Sequence, residues 1–90
     1  MNEDETVDFQ VGQLVRISPS ASASADLIDK VRKVEEKLGT PVIGTVGAVF
    51  SNGACTVVLP NNMAISGHSR RLSKDTEYIE LARVDLEVVL

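Results

Sequence analysis

The sequence predicts a mainly β fold, a small barrel of about five strands with one α-helix inserted between strands one and two. Three observations support this expectation. Short runs rich in β-branched residues recur along the chain, which is typical of strands. Only one segment carries apolar residues at helical spacing. The pair Asn52-Gly53 separates two β-rich runs, and it is a strong hairpin signal because both residues accept the positive φ of a type I′ turn.

Length and composition indicate one globular domain. The chain has 90 residues, 43% of them hydrophobic, and a net charge of −4, which separates it from disordered sequences. Aromatic residues make up 3%, which argues against a platform of stacked rings for single-stranded nucleic acid. The single cysteine, Cys55, excludes a disulfide framework and a zinc site built from cysteines.

The acidic beginning of the chain bears on its location. Residues 1–10 hold four acids and no base, unlike the cationic start of a secretory signal. No apolar run approaches the roughly 20 residues of a membrane-spanning helix. We therefore expect a cytoplasmic protein without a membrane segment. Residues 1–8 are expected to be a flexible acidic tail and residues 9–90 a single domain.

The first half of the chain is expected to hold one strand and the helix. A strand is predicted at residues 13–17, and after a linker of small residues a helix is predicted at residues 25–38. Ser24 is the expected N-cap and Gly39 the expected left-handed C-cap. The apolar stripe of the helix consists of Leu27, Ile28, Val31, Val34 and Leu38. We interpret this stripe as a cover for the core, with a dimer or partner surface as the alternative.

The second half of the chain is expected to form short strands. Two of them, at residues 42–50 and 54–59, flank the hairpin turn. A weaker strand is predicted at residues 63–72, a polar connection at 73–77 and a closing strand at 83–89.

Three segments carry a family resemblance. They are residues 9–17 (FQVGQLVRI), residues 44–49 (GTVGAV) and residues 81–89 (LARVDLEVV). They resemble the first strand, the second strand, and the final turn with the last strand of SH3-like small barrels such as KOW and Tudor modules. They are also similar to the electron-transport accessory group, which includes photosystem I subunit IV, the variable chain of ferredoxin–thioredoxin reductase and NifZ-like proteins.

The resemblance implies an SH3-like barrel and an interaction or accessory role, and it specifies the fold better than the function. The sequence departs from the family in two ways: its insert between the first two strands is longer and helical, and the ligand-binding aromatic residues of Tudor and SH3 domains are missing. A plasmid-borne dihydrofolate reductase shares the barrel, but its Val-Gln-Ile-Tyr signature is absent here, so that activity is not implied.

Positive charge is concentrated in residues 68–74, within a chain that is acidic elsewhere. This segment holds His68, Arg70, Arg71 and Lys74 and no acid. We predict that these four residues bind a protein partner that is acidic at the contact, with the two arginines donating forked hydrogen bonds to a carboxylate or phosphate. The alternative is a solubilising loop that pairs with the acidic ends of the chain.

No catalytic, cofactor or metal site is predicted. His68 is the only histidine, and the sequence offers it no second histidine for a metal pair and no readable catalytic partners. Cys55 lies in a predicted strand, so we expect it to be buried and unreactive. Gly44 and Gly47 lie inside a strand and precede no helix, so they indicate bends or bulges rather than a nucleotide-binding loop.

Three classes of function remain open. A non-catalytic protein-interaction or accessory module is favoured by the resemblance and by the acidic net charge. A nucleic-acid-associated, KOW-like module would use residues 68–74, although the acids elsewhere oppose a polyanion. A small oligomeric enzyme has no sequence motif in its support, and the formation of a homo-oligomer stays open.

Overall fold

A computed structural model of the protein describes residues 9–89. Its strands are β1 (Leu14–Ile17), β2 (Ile43–Val49), β3 (Cys55–Pro60), β4 (Arg70–Arg71), β5 (Thr76–Leu81) and β6 (Leu86–Val88). The helix α1 (Ala25–Leu38) lies between β1 and β2, and short 3-10 turns occupy Asn61–Met63 and Arg83–Asp85. The predicted acidic tail, residues 1–8, lies outside the described residues.

The strands form one antiparallel sheet in the order β4-β5-β3-β2-β1-β6. The mainly β class and the inserted helix are therefore confirmed. The sheet has six strands rather than five, and within residues 9–89 its outer strands β4 and β6 do not pair with each other. A closed barrel needs a continuous ladder around the ring, whereas the outer strands are only two and three residues long.

The second half of the chain differs most from the predicted elements. The strand expected at residues 63–72 is reduced to β4, because the fully buried Ile65 anchors a turn before it. β5 begins inside the expected polar connection and extends to Leu81. Its alternation is hard to recognise in the sequence because the charged Glu77 occupies one of the buried positions. At the end of the chain, Arg83–Asp85 is a 3-10 turn, so only residues 86–88 form the closing strand.

The helix is confirmed with its predicted boundaries. The Ser24 hydroxyl accepts from the Leu27 N–H at 3.1 Å, and Gly39, at φ 70°, donates its N–H to the Glu35 carbonyl. Leu27 and Val31 are buried together with residues of the sheet, and Val34 is partly buried against them, so this part of the apolar stripe covers the core as predicted, whereas Ile28 is exposed. No helix in the described part of the chain is long and apolar enough to cross a membrane.

The core lies on one side of the sheet. Val15 and Ile17 of β1 point into it without exposed area, whereas Leu14 is 51% exposed. The side chains of alternate residues along a strand share a face, and this rule selects the remaining core residues of β3 and β5. These are Cys55, Val57, Leu59, Ile79 and Leu81. The expected burial of Cys55 in a strand is therefore confirmed.

The hairpin between β2 and β3 is confirmed, but its turn type differs from the prediction. Gly53 has φ 89°, whereas Asn52 does not have a positive φ, so the turn is not type I′. The Gly53 N–H donates to the Phe50 carbonyl at 2.9 Å, and the Phe50 N–H donates to the Ala54 carbonyl at 2.8 Å. This pattern is a type I turn followed by a left-handed glycine. The Asn52 side chain supports it by accepting from the Ala54 N–H at 3.0 Å.

The two glycines of β2 have different roles. Gly47 lies where the register with β3 shifts, between Val46 and Ala48, which confirms a bulge. Gly44 instead lies in a regular part of the ladder, and a Cβ atom there would approach the Val58 carbonyl oxygen to 2.6 Å. Its missing side chain therefore allows the close approach of neighbouring backbone and side chains.

Candidate functional site

The four basic residues singled out in the sequence lie at one edge of the sheet. Arg70 and Arg71 form β4, the outer strand beside β5. His68 lies in the turn before β4, and Lys74 lies in the bend after it. Arg70, Arg71 and Lys74 are exposed, whereas His68 is partly buried. We call residues 68–74 the basic edge.

A buried anchor holds the beginning of the basic edge. The carbonyl of the fully buried Ile65 accepts from the N–H groups of His68 at 2.9 Å and Ser69 at 2.8 Å. The Ser69 hydroxyl accepts from the Ile65 N–H at 2.9 Å and lies 3.2 Å from a carboxylate oxygen of Glu77. Because Glu77 is a buried residue of β5, these hydrogen bonds tie the turn to the sheet.

The strand register places the two arginines on opposite faces. Arg70 lies opposite Tyr78, and Arg71 lies opposite Glu77. Directly opposed residues share a face and successive residues alternate, so Arg71 belongs to the core-side face with Glu77 and Arg70 to the outer face with Tyr78. The predicted arrangement, in which both guanidinium groups donate to one anion, is therefore not found. The two arginine side chains lie on different faces of the edge.

The backbone of Arg71 also faces away from the sheet. The Leu72 N–H donates to the Thr76 carbonyl at 3.0 Å, which marks these two residues as a hydrogen-bonded pair. Hydrogen-bonded and non-hydrogen-bonded pairs alternate along an antiparallel ladder, so Arg71 and Glu77 form a non-hydrogen-bonded pair. The N–H and C=O groups of Arg71 therefore point to the outer side of β4, beyond which the described residues add no further strand.

The helix contacts the basic edge through His68. The His68 Nε2 lies 2.7 Å from Oδ2 of Asp26, and the Lys30 Nζ lies 3.1 Å from Oδ1 of the same carboxylate. Hydrogen bonding to His68, and then to Lys30, lowers the pKa of Asp26 below its usual value. Sequence reasoning missed the His68–Asp26 pair because the two residues are 42 positions apart, and no local pattern relates them.

The exposed cations of the basic edge have no ionic partner within residues 9–89. The salt bridges between described residues join Arg16 to Glu35, basic residues of α1 to acids of the same helix, and His68 to Asp26. None of them includes Arg70, Arg71 or Lys74. The edge therefore offers these cationic side chains, together with the outward backbone groups of Arg71, to another molecule.

Other polar clusters act as structural contacts. Within residues 9–89, no group of three His, Cys, Asp or Glu side chains is placed to hold a metal ion. The Ser69 hydroxyl bonds to Ile65 and Glu77, whereas the His68 ring bonds to Asp26, so the described hydrogen bonds do not pair this serine with the histidine as its base. The basic edge is therefore the candidate functional site.

The chain matches no protein-family model, no curated protein and no solved structure in comparisons with known proteins.

Proposed function

We propose that this chain is a non-catalytic module of SH3-like fold that docks an acidic protein partner at its basic edge. For the fold, two features agree with what the family resemblance implies. The strands β6, β1, β2, β3 and β5 follow one another across the sheet, and a single 3-10 turn, Arg83–Asp85, comes directly before the last strand.

One observation carries the docking proposal. Two exposed cations, Arg70 and Arg71, form an outer strand, and a third, Lys74, lies in the bend after it. None of the three has an ionic partner among the described residues, in a chain with a net charge of −4. Charged side chains on an edge strand oppose pairing with a second copy of the same edge. The same charges attract an acidic surface and speed its association.

A protein partner agrees better with the charge distribution than a nucleic acid does. A duplex carries negative charge along its whole length and would meet acids as well as the basic edge. Glu80 of β5 and Glu87 of β6 are both exposed on the same sheet. A protein can present one acidic segment to residues 68–74 and leave these glutamates in water.

Removal of charge at the edge tests the proposal. The edge variant carries both Arg70→Gln and Arg71→Gln. The control, the helix variant, carries both Lys33→Gln and Lys37→Gln, which remove the same number of positive charges from exposed positions of α1. Binding of a glutamate-rich peptide is measured by isothermal titration over a range of salt concentrations. We expect about tenfold weaker binding in the edge variant and little change in the helix variant.

Two results would overturn the proposal. Equal weakening in both variants would show that the peptide senses only the net charge of the module. A DNA duplex that binds more tightly than the peptide at physiological salt, and loses this binding in the edge variant, would replace the protein partner with a nucleic acid. Circular dichroism of both variants confirms that the fold is retained.

A further inference from the structure

We propose that the basic edge binds its partner by strand addition and recognises two consecutive acidic residues in an extended segment. The inference rests on the proposed docking function and specifies the form of the partner. Two features support it. Arg71 has outward-facing backbone groups and an exposed side chain, and the side chain of Arg70 lies on the opposite face of β4.

The outer side of β4 has backbone groups that can bind an added strand. Among residues 9–89, β4 pairs with β5 and with no other strand, and the N–H and C=O groups of Arg71 face the other side. An extended peptide laid along β4 accepts from this N–H and donates to this carbonyl, as in other sheets that bind peptides at an edge. Because β4 spans only Arg70–Arg71, the added strand is short and its register centres on Arg71.

The side chains of β4 define which residues of the added strand lie opposite a cation. A residue of the added strand lies on the same face as the β4 residue opposite it. Arg70 belongs to the outer face and Arg71 to the core-side face, so matching both requires one acid on each face at neighbouring positions. Two consecutive acidic residues meet this requirement because successive side chains of a strand alternate. Acids separated by one residue share a face and leave one arginine unmatched.

Hydrogen bonds on both sides of β4 order the basic edge before a partner binds. On one side, Ser69 is held by Glu77 at 3.2 Å and His68 by Asp26 at 2.7 Å. On the other side, the N–H groups of Leu72 and Ser73 donate to the same carbonyl in β5, that of Thr76, at 3.0 and 3.2 Å. Contacts that order β4 in the unbound module reduce the conformational entropy lost when a strand is added.

Three synthetic peptides of equal length and charge test the inference. The first has two consecutive glutamates between threonine and valine residues. The second has the same composition, but one residue separates the glutamates. The third is the first peptide with an N-methyl group on the backbone amide that would donate to the Arg71 carbonyl. We expect the first to bind about fivefold to tenfold more tightly than each of the others.

Amide hydrogen exchange at Arg71 supplies a second readout. Strand addition protects this N–H in the complex, whereas contact through side chains alone leaves it exchanging as in the unbound module.

Equal affinity for all three peptides without protection of the Arg71 amide would overturn strand addition. If that equal binding is still weakened by Arg70→Gln with Arg71→Gln, docking at the basic edge stands. If the substitution has no effect on it, the proposed function fails as well. Absence of binding by the first peptide at millimolar concentration also overturns the inference, and the glutamate-rich peptide then decides separately on docking.

Discussion

The two outer strands of the sheet, β4 and β6, are anchored in a similar way. Beside β4, the Glu77 carboxylate accepts from the Ser69 hydroxyl at 3.2 Å. Directly before β6, the Asp85 carboxylate accepts from the Ser20 N–H at 2.7 Å. Both acids are buried, with 9% and 7% of their surface exposed. At each edge, a buried carboxylate therefore holds a neighbouring loop against the sheet.

The two edges differ in what they expose. β4 presents Arg70 and Arg71, whereas β6 presents Glu87 and Val88. An opposite charge lies across the ladder at both edges, since Glu87 is opposite Arg16 of β1 and Arg71 is opposite Glu77 of β5, but Arg16 forms its salt bridge with Glu35. The arginines of β4 form no salt bridge with a described residue. Similar anchoring thus supports edges of opposite sign, and the sign decides which edge can attract an acidic partner.

The largest expected effect comes from the helix, which contacts β1 through Glu35 and the basic edge through Asp26. Val31 is 3% exposed, so Val31→Asp buries an unpaired carboxylate and should lower the free energy of unfolding by about 3–5 kcal/mol. Urea denaturation measures this loss. The control Ile28→Asp, at a position 36% exposed, should cost less than about 1 kcal/mol. Equal stability of the two variants would contradict the packing of α1 on the core.

An intermediate loss of stability is expected when either buried carboxylate is removed. Comparing the two losses tests whether the edges are anchored equally. Asp85→Ala leaves the Ser20 N–H without its acceptor and should cost about 1–3 kcal/mol. Glu77→Ala should cost less, about 0.5–1.5 kcal/mol, because the Ser69 hydroxyl still accepts from the Ile65 N–H and then donates its proton to the Ile65 carbonyl, 3.2 Å away. Hydrogen exchange should show the loss at β6 in the first variant and at β4 in the second. A larger cost for Glu77→Ala would reverse this ranking of the two edges.

The smallest effect is expected from the exposed Asp26 carboxylate. Its pKa is lowered by His68 and then by Lys30, so its contribution to stability is present above the unfolded-state pKa and is lost as the pH falls through the lower folded-state pKa. Asp26→Asn should therefore make the loss of stability below about pH 4 shallower, as measured by urea denaturation at a series of pH values.

Asp29→Asn is the matched control for this pH effect. The pKa of Asp29 is lowered mainly by Lys33 of the same helix. Replacing Asp29 should therefore also make the loss of stability at low pH shallower. Of the two variants, Asp26→Asn alone should increase hydrogen exchange at β4, because Asp26 contacts His68, whereas Asp29 pairs with Arg32 and Lys33 of its own helix. Increased exchange at β4 in both variants would show that the His68–Asp26 contact does not hold the basic edge.

The sequence predicted most accurately those elements whose boundaries are marked by residues within or beside the element itself. The helix begins and ends at the predicted residues because Ser24 and Gly39 cap it within one turn. β5 was missed because its inward Glu77 interrupts the apolar alternation, and that position is explained only by the Ser69 hydroxyl beside it. The closing strand was predicted too long because a 3-10 turn and a strand both accommodate the alternating residues 83–88.

By itself, the sequence determined the mainly β class, the helix at residues 25–38, the hairpin position and the concentration of positive charge in residues 68–74. Each of these depends on residues close together in the chain, whose spacing, capping and composition act locally. Only the tertiary structure decided that the described residues form an open sheet of six strands, that Arg70 and Arg71 face opposite sides, and that His68 contacts Asp26. These features depend on strand register and on which distant surfaces are buried together, because pairing across many residues is selected by the packing of the whole core.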